Sequence, residues 1–235
     1  MNYVTDKDLF ERLKTILSTG TYHFDEYGGL RGTGSSGLLL EELLGFDPSN
    51  KDGPDSGRWE VKFHSGKSPL TLFHKTPEPD GVMRSLLNEF GWVGKSGHIN
   101  FRHTIWGTSP RGFTVQNSDG NIVVSNSNGI VIEPFWKQDT VVNAFAYKLR
   151  RLIVVHGKVS RVKRAVTFEY ALLHEEPHIS QIVDAVVSGK IAIDFDLRAT
   201  ETNALRDHGT KFRISISDLS SIYKKSSSFG TNLQR

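Results

Sequence analysis

The 235 residues include no cysteine. Disulfide scaffolds, cysteine-ligated zinc sites and cysteine nucleophiles are therefore excluded. No apolar run approaches the roughly 20 residues that a membrane-spanning helix requires. The amino terminus, MNYVTDKDLFERLK, lacks the apolar core of a secretory signal, so a cytoplasmic location is expected. Neither charge dominates. There are 29 Lys+Arg against 26 Asp+Glu, a net charge of +3. That excess permits nucleic-acid binding without demanding it. Long polar runs are also missing, and hydrophobic residues make up 37% of the chain. A folded protein is expected, either one large domain or two small lobes sharing a core.

What is present reads as a mixed α+β order without repeats or an obvious linker. Thr5 is a plausible cap for a helix that buries Leu9, Phe10, Leu13, Ile16 and Leu17 and stops at Gly20. A glycine-rich loop, YGGLRGTGSSG, leads into a helix over LLLEELLG, opened by Ser35 or Ser36. FDPSNKDGPDSG reads as loop. RWEVKFH and LTLFHK read as strands, and DGVMRSLLNEFG as a short helix. FRHTIWG, GFTVQ, NIVVS and GIVIEPF are expected as short strands, with a hairpin at Asp119-Gly120. A helix near TVVNAFAYKLR precedes strands RLIVVHG and AVTFEYALL. Helix ISQIVDAVVSG, strand KIAIDFDLR, strand TKFRISIS and a short helix SDLSSIY follow. The serine-rich basic tail from Lys224 is expected to fray.

Two motif matches lead nowhere. Gly32, Gly34 and Gly37 spell the dinucleotide fingerprint, but TYHFDEY is a poor preceding strand and no βαβ unit surrounds it. The loop can still bring backbone N–H groups to a phosphate, with Arg31 and Ser35 as candidate contacts. HEEPH, His174 to His178, spells the zinc-protease string. Pro177 would interrupt the helix that string needs, so a loop carrying acids is expected instead.

GPDSGRWEVKFH, residues 53 to 64, carries more. Alternation puts Trp59, Val61 and Phe63 on one strand face and Glu60, Lys62 and His64 on the other. Asp55 lies upstream in a Gly-Pro-Asp-Ser-Gly turn. A bend near Ser56-Gly57 would swing it round to Glu60. Two carboxylates so placed repel unless a cation lies between them. Magnesium suits them, as a hard ion with oxygen ligands that keeps several waters. Lys62, on the face of Glu60, can then position or activate water. The set fits metal-assisted phosphodiester hydrolysis. An acid followed two residues later by lysine is also a common solvent-facing strand pattern. Of the twelve glutamates, however, only Glu60 has lysine two positions later. The upstream helix adds Glu41 on a largely apolar segment, a candidate third acid, while Glu42 reads as solvated.

The sequence resembles the MvaI/BcnI-type restriction endonucleases, relatives of the MutH nickase within the PD-(D/E)xK superfamily. Four stretches carry the likeness in order: GLLLEELLG, PDSGRWEVK, SPLTLFHKTP and RDHGTKFRI. The second is a weak motif alone; the third and fourth are more specific. The resemblance implies a PD-(D/E)xK core, a mixed sheet flanked by helices, in one domain with a catalytic and a DNA-recognition lobe around a DNA cleft. It implies Mg²⁺ held by Asp55, Glu60 and the main-chain carbonyl of Val61, with Lys62 stabilising the nucleophile and Glu41 as the extra acid. It further implies a prokaryotic, monomeric type II enzyme that cuts short GC-rich pseudopalindromes of the CC-N-GG type in double-stranded DNA, one strand at a time.

The residues of the last two stretches agree with DNA contact. Arginine can grip guanine, and Asp207 can accept from cytosine N4. Arg206, His208, Lys211 and Arg213 supply positive charge for bases or phosphates. The plainer reading is a charged turn before a strand, with Lys211 and Arg213 on its solvated face. His74 and Lys75 end an apolar strand. In one family branch a histidine at position 74 reads the central base pair, but Lys211 stands where that branch has a second such histidine. Residues 101 to 135 show no family match. Two other readings stay open: a MutH-like nicking enzyme for repair, and a DNA-binding module whose Asp55–Glu60–Lys62 cluster is a remnant.

Overall fold

The computed structural model describes residues 4–32, 34–46, 53–56, 58–202 and 204–230. The chain forms two compact units. The first comprises Met1–Ser68, Ala146–Pro177 and Tyr223–Arg235; the second comprises Pro69–Phe145 and His178–Ile222. The fold is mixed α+β, with five α-helices and three sheets among the described residues.

The first unit is built on strands β1 (Thr21–His23), β2 (Glu60–His64), β9 (Arg151–Ser160), β10 (Ala165–Pro177) and β14 (Tyr223–Phe229). Their order is β1-β10-β9-β2, and β14 joins β10 beyond the stretch that β1 occupies. The β2–β9 pair is parallel and places Glu60 opposite Leu152 and Lys62 opposite Val154; β9–β10 is antiparallel. Helices α1 (Asp6–Thr19) and α2 (Ser35–Leu44) cover one face. Thr5 caps α1 by accepting the Asp8 N–H, and Gly20, at φ +77°, ends it. Leu9, Leu13 and Ile16 of α1 meet Leu39, Leu40 and Leu44 of α2 over Trp59, Val61, Ile153, Val155 and Phe168. The two periodicities of the sequence, near four in the helices and two in the strands, converge on this core.

The second unit holds a larger, antiparallel sheet. It contains β3 (Leu70–His74), β4 (Trp92–Val93), β5 (Ile99–Ile105), β11 (Ile191–Ala199), β12 (Leu205–Asp207) and β13 (Lys211–Ile214). The order is β3-β13-β11-β5-β4, with β12 also pairing β11. A three-stranded meander, β6 (Phe113–Ser118), β7 (Asn121–Asn126) and β8 (Phe135–Lys137), lies in the same unit. Its first turn is the two-residue Asp119-Gly120 hairpin, both residues at positive φ as such a turn requires. Helices α3 (Val82–Phe90) and α5 (Ile182–Val187) belong here, and α4 (Gln138–Lys148) runs from this unit into the first.

Several expectations fail for physical reasons. The tail from Lys224 does not fray up to Phe229: its polar residues pair with β10 as β14, a ladder that sequence hydrophobicity does not announce. Residues 231–235 lie outside the described residues. HEEPH is not a loop, because His174 to Pro177 finish the long strand β10, with the proline at its end, where a missing N–H is tolerated. GIVIEPF is apolar but forms no strand before Phe135; Val131 is exposed, and Pro134 has no N–H for a ladder. SDLSSIY supplies only a 3₁₀ turn, Leu219–Ile222. The helix expected over ISQIVDAVVSG shortens to α5, preceded by a 3₁₀ turn. The charged turn of RDHG contains a short strand, β12, that the sequence did not suggest.

Candidate active site

The first unit gathers the acids. Ser56 and Trp59 close the approach to β2: the Ser56 N–H donates to the Trp59 carbonyl at 3.1 Å, and the Trp59 N–H donates to Ser56 Oγ at 3.1 Å. This bend turns Asp55 back along the strand, where its Oδ2 accepts the Val61 N–H at 2.9 Å. Gly57 lies outside the described residues, as do positions 47 to 52. Glu60 is only 3% exposed. Lys62 Nζ, on the same face, donates to Glu60 Oε1 at 2.8 Å. Glu60 Oε2 is buried and has no hydrogen-bond partner.

Glu41, on α2, is half-buried and feels the charge of Asp55. Burial first, and then that charge, hold its carboxyl above the usual range. Glu60 is raised for the same two reasons, with Lys62 and Lys148 pulling the other way. Desolvation also raises Asp55, against the Val61 N–H and the two lysines. Asp55 thus lies close enough to repel both Glu41 and Glu60. Among the described residues, no group of three or more His, Asp and Glu side chains is drawn together tightly enough to enclose an ion. Magnesium typically takes one or two carboxylates and completes its shell with water and substrate phosphate. The unsatisfied Oε2 of Glu60 is the atom that fits such a ligand role.

Sequence reading missed Lys148. It ends α4, and its Nζ lies 3.5 Å from Glu60 Oε1. Nothing in YKLR signals this position, because α4 and the β2–β9 pairing, not sequence proximity, bring it to Glu60.

The candidate DNA-contacting residues divide between the units. Arg31 is exposed in the first. Ser35 is buried, and its hydroxyl donates to the Gly32 carbonyl at 2.9 Å. The others lie in the second unit. Lys211 pairs opposite His74 across β13 and β3, and the Lys75 N–H bonds to the Thr210 carbonyl at 3.0 Å. Gly209, at φ +80°, packs so closely on the His74 ring that a Cβ there would stand 3.0 Å from it. Asp207 accepts the Gly209 N–H at 2.7 Å, which shapes this turn while leaving the residue exposed beside Arg206 and His208.

Lys211 and Arg213 are not merely solvated. On β11, Asp194 and Asp196 face them: Arg213 lies 3.2 Å from Asp194, and Lys211 lies 3.3 Å from Asp196. Arg102 meets Asp196 at 2.9 Å, and Thr104 donates to Asp194 at 2.6 Å. Arg198 stands directly across from Arg206. Like charges directly opposite each other repel. Both line a shallow pocket of about 360 Å³ with His98, Thr200, Glu201 and Thr202. The alternations IDFDLR and FRHTI could have signalled one charged face; the pairing across strands could not be read.

This fold, carrying an acid–lysine cluster on a mixed sheet, is that of a restriction endonuclease. The profile of the MvaI/BcnI restriction endonuclease family matches residues 10–223, and the chain belongs to that family. It is accordingly a DNA nuclease, a hydrolase. Its fold is similar to a structure described as a restriction endonuclease MvaI–cognate DNA substrate complex, with a TM-score of 0.75 and 23% identity over 97% of this chain and 98% of that one. A structure of MvaI in the absence of DNA covers the same shares at 22% identity, with a TM-score of 0.49. No curated protein matches. No helix among the described residues is long and apolar enough to cross a membrane.

Proposed function

We propose that this endonuclease hydrolyses phosphodiester bonds in double-stranded DNA at a short specific sequence, as a monomer, with Mg²⁺ held by Asp55, Glu60 and the Val61 carbonyl. The observation that carries the reading is the buried, unpartnered Glu60 Oε2 beside Asp55, whose charge repels Glu60 and the half-buried Glu41 alike. Bound there, the ion would supply Lewis-acid stabilisation of the phosphate and a more acidic water. Asp55 holds its carboxylate in place through the Val61 N–H. Lys62 keeps Glu60 oriented and presents an ammonium where attacking water would be stabilised. Glu41 adds negative charge to the same neighbourhood.

The charged sheet of the second unit supplies DNA contacts in this reading. Arg206, Arg213, Asp207, His208, Lys211, His74 and Lys75 contact base edges or phosphates, joined by Arg198; Arg31 contributes from the first unit. The motif RDHGTKFRI supports a target of the CC-N-GG type, with Lys211 altering the choice at the central pair. The MvaI–DNA complex supports duplex DNA as the partner.

Digesting unmethylated genomic DNA with Mg²⁺ and sequencing the ends tests this reading. It predicts one recurrent short sequence at the ends and linear product from a one-site plasmid. Persistent open circles would favour a nicking enzyme. Specific binding with no metal-dependent cleavage would favour a DNA-binding module.

A further inference from the structure

The acid cluster holds one more cation than the proposed chemistry uses. Lys62 already donates to Glu60 Oε1 at 2.8 Å, and Lys148 approaches the same oxygen at 3.5 Å. Its position is built rather than incidental. The next residue, Leu149, is fully buried, and its carbonyl accepts the buried Tyr223 hydroxyl at 2.9 Å, which anchors the end of α4. The acid it meets is 3% exposed, whereas the Lys148 side chain remains 26% exposed. An ammonium on a flexible four-carbon stem can leave such a contact without disturbing the backbone.

We propose, building on the metal reading above, that Lys148 is the resident counter-ion of the cluster. It neutralises Glu60 while the divalent cation is absent, competes with that cation for the acids, and on its arrival turns to a phosphate oxygen of the bound DNA. Two ammonium groups on one carboxylate oxygen repel each other, so a third cation would readily displace the looser one. Lys148 is the looser by distance. Lys62, on the strand itself, stays. A plain structural ion pair behaves differently: cutting it would lower stability and leave cation affinity unchanged or weaker.

Calorimetric titration of Ca²⁺ into the full-length protein without DNA separates these cases. Wild type should bind one ion at a site that Glu60→Gln abolishes. Lys148→Met should bind Ca²⁺ about fivefold more tightly, since a competing charge is gone. Lys148→Arg, which keeps the charge, should stay near wild type. With saturating Mg²⁺ and a specific duplex, Lys148→Met should lower kcat about tenfold through the lost phosphate contact, with part restored by Lys148→Arg. Circular dichroism checks the fold, and Lys148→Gln replaces the methionine variant should that fail to fold. Equal or weaker Ca²⁺ binding by the neutral variant, where wild-type binding still depends on Glu60, overturns the counter-ion role and leaves the metal reading standing. A wild type that binds no ion at Glu60 overturns both.

Discussion

The two units treat charge in opposite ways. In the first, Glu41, Asp55 and Glu60 crowd together, two lysines answer them, and one buried carboxylate oxygen is left with no partner. In the second, Asp194 and Asp196 are each bracketed by Lys211 and by Arg213 or Arg102, while Arg198 and Arg206 face each other across neighbouring strands. The first arrangement is short of positive charge at a fixed point. The second has positive charge to spare across a face. One suits a small hard cation, and the other suits a polyanion. On the function proposed above, the contrast would separate holding the reacting phosphate's metal from gripping the rest of the DNA.

The largest effect should come from removing the acids. Asp55→Asn or Glu60→Gln is expected to reduce cleavage by about a thousandfold or more, the loss of several kcal/mol of metal-derived stabilisation. Filter binding should find sequence-specific DNA affinity retained in either variant. A parallel loss of binding would erase the division of labour between the units.

Replacing Lys62 with Ala should suppress cleavage by roughly a hundredfold while changing specific affinity less than about threefold, because one lysine is a small part of the phosphate contacts. Single-turnover cleavage and equilibrium binding on the same duplex measure both. Equal losses would place Lys62 among the DNA-gripping residues instead.

Acid should weaken the first unit. His156 and His174, on β9 and β10, are held down to about 4, first by burial and then by the neighbouring rings of His64 and His156 respectively. Their Nε2 atoms are buried without partners. In the unfolded chain the same rings titrate near 6.5, so unfolding takes up protons between those values. The stability of the neutral rings is therefore complete above about 6.5 and is lost as pH falls towards 4. The loss is of the order of 2 kcal/mol per ring once solvent screening is allowed for. Urea melts between pH 7 and pH 4 should show it, with His174→Gln flattening the slope. Hydrogen exchange should rise first in the β9–β10 ladder, and a uniform rise in both units would contradict the assignment.

The smallest effect is at the second unit's surface. Arg206→Ala should weaken DNA binding by about tenfold and reduce the slope of log affinity against log salt by about one, leaving turnover of bound DNA unchanged. An unaltered salt slope would remove Arg206 from the phosphate contacts.

How much of this was legible depended on distance along the chain. Asp55, Glu60 and Lys62 lie within one turn and one strand, so alternation and a bend were enough to bring them together on paper. The helices α1 and α2 were equally readable, since Thr5, Gly20 and the leucine spacing are local signals. Lys148 was not, because it reaches Glu60 only through the end of α4. Lys211 and Arg213 could be assigned to one face, yet their acid partners depend on the β11–β13 register, which no local pattern encodes. Strand β14 was hidden for another reason. A run of lysine and serine has little β character of its own, and only the waiting edge of β10 makes it a strand.

The central claim is that Asp55 and Glu60 hold the divalent ion that cleaves DNA. Its most direct test is cleavage of a one-site supercoiled plasmid across a Mg²⁺ titration, with wild type and Asp55→Asn side by side. The account predicts no product in chelator, linear product rising with Mg²⁺ for wild type, and intact plasmid for the variant at every concentration. Cutting that survives chelation, or a variant that matches wild type, would contradict it.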